Sequence, residues 1–171
     1  ALITGAARGI GKAIALKFAS EGADIAFTDL NINEAAEQTL KEIEAYGVKA
    51  KAYASNAANY DETHEVVKEI LAEFGHIDVL VNNAGMAQQK LFTDISEEEF
   101  DRICAVNFKS VYNCCKFAVP DMVNRKSGKI INVSSMWGIS GASCETVYSA
   151  TKAAVIGFTK ALGKELAPSN I

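Results

Sequence analysis

Short apolar runs alternate with stretches of helical periodicity from one end of this chain to the other. This alternation is typical of repeated β-α-β units, in which helices join parallel strands and cover both faces of the sheet. The predicted strands lie at about residues 1–4, 24–28, 49–54, 77–82 and 128–134. The predicted helices lie at about residues 9–21, 33–46, 60–74, 97–125 and 147–167. We therefore expect an α/β fold with a doubly wound parallel sheet.

No linker, low-complexity tract or internal repeat interrupts the alternation, so residues 1–171 are predicted to form a single domain. The chain opens inside an apolar run at Ala1 and stops at Ile171, where another strand could begin. We therefore expect a domain that is incomplete at both ends and truncated after the fifth strand and its helix.

Local signals mark the ends of several helices. A polar residue followed three positions later by glutamate predicts capping boxes at Asn31 with Glu34, Asn59 with Glu62, and Ser96 with Glu99. Glycine allows the left-handed turn that ends many helices, and Gly22, Gly47 and Gly75 stand where the first three helices should stop.

Composition argues against several classes of protein. The net charge is -4 and no run of Lys or Arg is present, which argues against a nucleic-acid surface. No apolar segment approaches membrane-spanning length and the N-terminus shows no signal peptide, so a cytoplasmic protein is expected. The four cysteines lack C-x-x-C spacing and the two histidines lack neighbouring ligands, so we expect free thiols and no metal site.

A glycine-rich turn joins the first predicted strand to the first helix, with the sequence Thr4-Gly5-Ala6-Ala7-Arg8-Gly9-Ile10-Gly11. Glycines let the backbone approach a pyrophosphate, and the helix N-terminus offers free N–H groups to it. The spacing differs from the G-x-G-x-x-G of many dinucleotide folds. However, Asp29 closes the second strand, where a carboxylate can accept hydrogen bonds from the adenosine ribose hydroxyls. Turn and aspartate together predict a Rossmann-type nucleotide site.

A second candidate group lies near the C-terminus, where Ser135 follows an apolar run and Tyr148 and Lys152 stand four residues apart at a helix start. Positions i and i+4 share one face of a helix, so the ammonium can lie beside the phenol. A neighbouring cation favours the ionised form of a phenol, which makes it a better acid–base group near neutral pH. Ser135 could hold a carbonyl oxygen in place.

In this order, the motifs resemble those of the short-chain dehydrogenase/reductase family over the whole chain. They are T-G-x-x-x-G-x-G at Thr4–Gly11, N-N-A-G at Asn82–Gly85, Asn107 in the long helix, Ser135, and Y-x-x-x-K at Tyr148–Lys152.

The resemblance implies a role for each matching residue. Tyr148 would protonate the substrate oxygen, Lys152 would favour the phenolate and bind the nicotinamide ribose, Ser135 would orient the substrate, and Asn107 would hold a water. The cofactor would be NADH or NADPH. It would be bound by Gly5, Arg8, Gly9, Ile10, Gly11, Asp29, Asn56, Asn83, Ala84, Gly85, Tyr148 and Lys152.

Two segments, Gly5–Gly11 and Ala161–Ala167, resemble bacterial reductases of 3-oxoacyl thioesters carried on acyl carrier protein. The loop Gly141–Val147 departs from the glycine-rich loop usual in those enzymes, and Asn56 stands where the family usually has aspartate. Small or apolar residues on more than one side of the last helix indicate either a partner subunit or another part of the same chain. By resemblance, the assembly would be a homotetramer.

Three functions remain open from the sequence. The first is reduction of a 3-oxoacyl thioester, and the second is oxidation or reduction of another small alcohol or ketone such as a sugar, polyol or steroid. The third is nucleotide binding without turnover. For the cofactor, Asp29 should repel the 2′-phosphate of NADPH and Arg8 should attract it, so a weak preference for NADH is expected.

Overall fold

Five parallel strands form one sheet in the computed structural model, which describes residues 1–171. The strands are β1 (Leu2–Thr4), β2 (Ile25–Asp29), β3 (Ala50–Ala54), β4 (Val79–Asn82) and β5 (Lys129–Asn132). Their order across the sheet is β3-β2-β1-β4-β5. The chain thus runs outward from β1 in one direction and then returns to β1's other side, which confirms the predicted doubly wound sheet.

Seven α-helices connect or follow the strands. They are α1 (Gly9–Ser20), α2 (Glu34–Glu44), α3 (Tyr60–Phe74), α4 (Glu97–Cys104), α5 (Ser110–Arg125), α6 (Trp137–Ser140) and α7 (Thr146–Leu166). A five-residue π-helical segment, Ala105–Lys109, joins α4 to α5. No helix is both long and apolar enough to cross a membrane.

The hydrophobic core has two halves, one on each face of the sheet. Successive side chains of a strand point to opposite faces, so neighbours such as Leu2 and Ile3 enter different halves. One half packs under α1 and α2 around Phe27. The other packs under α3, α5 and α7 around Leu80. Both faces are covered, as the near-continuous apolar strands require.

Helix capping confirms one predicted capping box and corrects two. Ser96 and Glu99 form the full reciprocal box. Asn59 caps α3 by accepting from two backbone N–H groups, but its box with Glu62 does not form, because the Glu62 carboxylate accepts from the Asn56 N–H instead. The predicted cap at Asn31 is wrong: Asn33 caps α2 and accepts from the Ala36 N–H. The helix starts two residues later than the box pattern indicated, and Asn33 has alanine rather than glutamate three positions later.

The helix predicted over residues 97–125 is helical throughout, but five of its residues, Ala105–Lys109, are π-helical rather than α-helical. Periodicity alone does not show such an insertion, because it occupies little more than one turn. π-helical turns are rare and occur frequently at functional sites. Here the interruption carries Asn107, which is fully buried.

All four cysteines are free. Cys114 and Cys115 lie in the core, where burial raises the pKa of each thiol to about 12. Both are therefore uncharged packing groups near neutral pH.

Candidate active site

A cavity of about 370 Å³ opens at the carboxyl ends of the strands, where the chain reverses direction between β1 and β4. This switch point is the usual ligand crevice of an open parallel sheet. Gly9, Tyr148 and Lys152 were predicted to bind the cofactor but are not among the residues that line this cavity. The other nine of the twelve predicted residues do line it. They are Gly5, Arg8, Ile10, Gly11, Asp29, Asn56, Asn83, Ala84 and Gly85.

The glycine-rich turn is hydrogen-bonded to the end of β2. The Gly5 N–H donates to the Thr28 carbonyl at 2.7 Å, and the Ala7 N–H donates to the Asp29 carboxylate at 3.0 Å. Gly5 and Gly9 have φ of 66° and 60°, values that favour glycine. The turn thereby delivers the first N–H groups of α1, which have no intrahelical partner, to the cavity.

The Asp29 carboxylate is already engaged by the backbone. One oxygen accepts from Ala7 N–H and the other accepts from Leu30 N–H at 2.9 Å. Arg8 is exposed and forms no ion pair with Asp29, although both line the cavity. Each oxygen of Asp29 keeps a lone pair for a ribose hydroxyl, so the carboxylate can both brace the turn and contact a nucleotide.

The N-N-A-G segment fastens the end of β4 to the turn after β1. The Thr4 hydroxyl accepts from the N–H groups of Asn83 and Ala84, at 3.1 and 3.0 Å. The Asn83 amide donates to the carbonyls of Thr4 and Gly5. A side chain at Gly11 would overlap the Gly5 carbonyl, so α1 can approach this network only with glycine there.

Tyr148 and Lys152 lie on one face of α7, as their spacing predicts. The Lys152 Nζ lies 5.8 Å from the centroid of the Tyr148 ring and donates to the Val133 carbonyl at 3.0 Å. Lys152 is 5% exposed and forms no ion pair, and burial lowers the pKa of its ammonium group. A buried cation without a counterion strongly attracts a nearby anion.

The structure brings Asn107 and Lys152 to the same end of the cavity. A Cβ built on Gly85 would lie 3.3 Å from the Asn107 Oδ1 and 3.4 Å from the Lys152 Nζ. Glycine at position 85 therefore leaves open the space between the nucleotide cavity and the two polar side chains.

Asn107 uses its amide to join three parts of the site. Its Oδ1 accepts from Met86 N–H at 2.8 Å, and its Nδ2 donates to the Met86 carbonyl and to the Thr151 hydroxyl. The Thr151 hydroxyl donates in turn to the Tyr148 carbonyl at 2.7 Å. The side chain thus couples the π-helical segment to the segment after β4 and to α7.

Ser135 lies on the turn between β5 and α6, and β5 ends at Asn132, two residues before the predicted strand end at residue 134. Its hydroxyl accepts from Trp137 N–H at the start of α6. α6 packs on α7 through Gly138, where a Cβ would lie 2.7 Å from the Lys152 carbonyl carbon. The hydroxyl of Ser134 donates to the Lys152 carbonyl at 2.8 Å. The serine turn is therefore docked directly against the backbone of Lys152.

The sequence did not indicate several lining residues of the cavity. They are Thr28, Leu30, Ser55, Ala57, Ala58, Val106 and Ser110. The first five lie at or just after the ends of β2 and β3. Their position at the carboxyl edge was the available signal, because a doubly wound sheet binds ligands along that edge. Val106 lies in the π-helical segment and Ser110 directly follows it, and that segment left no such signal.

The structure brings together a phenol, a buried ammonium group on the same helix face, and a serine turn docked on that helix. The cavity fits a dinucleotide cofactor because its turn offers free N–H groups and positive-φ glycines, and Gly85 keeps its inner end open.

Known proteins match this chain over nearly its whole length. A family model described as short chain dehydrogenase matches residues 1–171. A 3-oxoacyl-[acyl-carrier-protein] reductase of Staphylococcus aureus (strain Mu50) is 44% identical over 171 residues, which is 100% of this chain and 70% of that protein.

Two solved structures superpose closely. An NAD⁺-bound xylitol dehydrogenase gives a TM-score of 0.95 at 33% identity, covering 99% of this chain and 65% of that one. A metagenomic short-chain oxidoreductase in complex with NADP gives 0.94 at 34% identity, covering 99% and 75%. The chain thus spans about two thirds to three quarters of the length of these relatives.

Proposed function

The chain belongs to the short-chain dehydrogenase family, and from this membership and its site we propose that it is a nicotinamide-dependent reductase of a 3-oxoacyl thioester carried on acyl carrier protein. The observation that carries the proposal is that Tyr148 and the buried Lys152 share one face of α7, with the Lys152 Nζ next to Gly85, a residue that lines the cavity. The likeness to the Staphylococcus aureus reductase supports the substrate class.

In this proposal, the bound nicotinamide supplies the hydride that converts the ketone carbon to an alcohol carbon. Tyr148 donates its phenolic proton to the ketone oxygen, on which negative charge develops as the hydride arrives. Lys152 stabilises the phenolate that remains, because the unpaired ammonium is held on the same face of α7. Ser135 donates a hydrogen bond to the same oxygen and keeps it within reach of Tyr148.

Asn107 is proposed to hold a water that returns a proton to Tyr148 after it has protonated the substrate. Both of its amide hydrogens are used, one by the Met86 carbonyl and one by the Thr151 hydroxyl. The water would therefore rest on acceptor groups of Asn107, either the second lone pair of Oδ1 or the backbone carbonyl.

A second candidate substrate class is a small polyol, sugar or steroid. Two observations favour it: the loop Gly141–Val147 differs from that of the acyl-carrier enzymes, and the xylitol dehydrogenase has nearly the same backbone. Cys144 in this loop has φ of 62°, and its carbonyl accepts from Lys90 N–H. The loop thus has a fixed shape that could select a different substrate.

The test of the proposed function is oxidation of NADH and NADPH by the purified protein with an acetoacetyl thioester, compared with xylulose at equal concentration. Thioester-dependent oxidation is expected to be the faster reaction. Turnover of the sugar alone would assign the second class, and cofactor binding without turnover of either compound would leave only a nucleotide-binding protein.

Assembly and location follow as parts of the same proposal. We propose a homotetramer in the cytoplasm, as the family resemblance implies. Large apolar side chains on and before α4 and on α5 support a subunit interface, since Phe92, Phe100 and Tyr112 are 71%, 48% and 42% exposed. Light scattering on the purified protein measures the subunit number, and a monomer at micromolar concentration would refute the assembly.

The cofactor preference is proposed to be weakly toward NADH. Asp29→Ala is expected to shift the ratio of kcat/KM values toward NADPH by about tenfold, because a carboxylate near a 2′-phosphate costs about 1 to 4 kcal/mol at ~4 Å. Arg8→Ala is expected to shift the ratio toward NADH. Asp29→Asn is the matched control for the backbone contacts, since it removes the charge but can still accept from one of the two N–H groups that Asp29 holds. A strong native preference for NADPH that persists in Arg8→Ala would contradict this account.

A further inference from the structure

The turn between β1 and α1 is fastened to two other elements at Ala7. The Ala7 N–H donates to the Asp29 carboxylate at 3.0 Å, and the Ala7 carbonyl accepts from the Thr39 hydroxyl at 2.9 Å. Thr39 lies on α2, is fully buried, and is 32 residues away from Ala7 in sequence. A buried hydroxyl that reaches a carbonyl across two elements restricts how that peptide group can rotate.

The restricted peptide group is the one that links Ala7 to Arg8. All peptide bonds of the chain are trans, so the carbonyl of Ala7 and the N–H of Arg8 point in opposite directions. Because the carbonyl points toward α2, the Arg8 N–H points away from α2. Arg8 is also one of the residues that line the cavity. This N–H forms no hydrogen bond within the protein.

The Arg8 side chain forms no hydrogen bond, while the Arg8 carbonyl accepts from the Lys12 N–H at 3.3 Å. Arg8 is exposed, forms no ion pair, and has extended backbone angles of φ -158° and ψ 176° directly before α1. The direction in which its side chain leaves the turn therefore depends on the orientation of the peptide that Thr39 holds.

We propose that Thr39 is a positioning residue for cofactor discrimination: its hydroxyl orients the Ala7–Arg8 peptide so that the N–H and side chain of Arg8 face the 2′ position of the adenosine ribose. This deepens the proposed function and rests on it. A 2′-phosphate can accept charge-assisted hydrogen bonds from both groups, whereas a 2′-hydroxyl gains far less from them. Thr39 would thus sustain the attraction for NADPH that opposes the repulsion by Asp29.

The experiment compares the binding of adenosine 2′,5′-bisphosphate and adenosine 5′-monophosphate to the purified protein by calorimetry. Thr39→Val keeps the shape of the side chain and removes its hydroxyl. It is expected to weaken binding of the bisphosphate about tenfold, the effect of losing roughly one charge-assisted hydrogen bond. Binding of the monophosphate is expected to change far less. Thr39→Ser retains a hydroxyl and is expected to restore the wild-type affinity ratio.

Thr63→Val is the matched control. Thr63 is equally buried and lies on α3. Its hydroxyl donates to the carbonyls of Asn59 and of Ala57, and Ala57 also lines the cavity. Thr63→Val should leave the ratio of the two affinities unchanged. Where Thr39→Val does not fold, Thr39→Cys takes its place, because a thiol is a much weaker donor of nearly the same size.

The possible outcomes distinguish the role of Thr39 from the proposed reductase function. An unchanged affinity ratio in a folded Thr39→Val or Thr39→Cys protein, or a failure of Thr39→Ser to restore a changed one, overturns the role of Thr39 and leaves the reductase intact. A wild-type protein that binds neither nucleotide overturns the proposed function and this inference with it.

Discussion

Replacing Tyr148 with phenylalanine is expected to lower kcat for the thioester substrate by about 10²–10⁴-fold, the usual contribution of one positioned general acid. The substitution removes a single oxygen and keeps the ring beside the Lys152 Nζ. The backbone carbonyl of Tyr148, which accepts from Thr151, is also unchanged. The dissociation constant of the cofactor is therefore expected to stay nearly constant, so the loss should fall on kcat and kcat/KM together.

Tyr46→Phe is the control for this experiment. Tyr46 is 53% exposed and follows α2, so removal of its hydroxyl repeats the atomic change away from the cavity. Its kcat should equal that of the wild type. If Tyr148→Phe retained most of its kcat while Tyr46→Phe behaved as expected, Tyr148 would not be the proton donor.

Replacing Lys152 with methionine is expected to abolish most turnover and weaken cofactor binding, yet leave the melting temperature at neutral pH equal to or above that of the wild type. The ammonium group is buried without a carboxylate partner, which disfavours its charged form in the folded protein. Methionine has a similar length and carries no charge. The lost hydrogen bond to the Val133 carbonyl opposes the gain, but this half-buried carbonyl can accept from water instead.

The difference in stability between the wild type and Lys152→Met is expected to change with pH in one direction. Burial lowers the pKa of Lys152 in the folded state below its usual 10.5, so the unfolded chain binds the proton more tightly. The wild type is therefore destabilised at all pH values below the folded pKa and recovers as pH rises from that value toward 10.5. The stability advantage of Lys152→Met should shrink over this alkaline window, which thermal melts at a series of pH values would show.

Lys164→Met serves as the comparison, because Lys164 is exposed in the last turn of the same helix. It should change neither turnover nor the pH dependence of melting. A melting temperature for Lys152→Met well below that of both proteins at neutral pH would mean that the ammonium group stabilises the fold, contrary to the cost assigned to its burial.

The architecture could be predicted from the sequence because its signals are local. Alternating apolar runs and helical periods gave the five strands and the main helices, since burial on both faces of a parallel sheet makes its strands continuously apolar. Ser96 and Asn59 marked helix starts for the same reason: a cap and the N–H groups it satisfies lie within one turn. The glycine turn was recognisable because the strand, turn and helix are consecutive.

Spacing on one helix also placed Tyr148 and Lys152 together without any tertiary information, because helical geometry fixes which side chains share a face. The lack of a counterion for Lys152 could not be predicted in this way. It depends on Val133 and Gly85, which lie 19 and 67 residues before Lys152 and enclose it from other elements.

Only the tertiary structure decided the features that join distant parts of the chain. The π-helical segment at Asn107 accompanies an amide that bonds to Met86, 21 residues earlier, and to Thr151, 44 residues later. The Ala7–Arg8 peptide is likewise held by Thr39 on another helix. A hydrogen bond between residues far apart in sequence leaves no periodicity and no fixed spacing in the chain. Such a bond exists only after the sheet has brought its partners together. For that reason the sequence determined the scaffold and the candidate reacting groups. The tertiary structure decided how those groups are held.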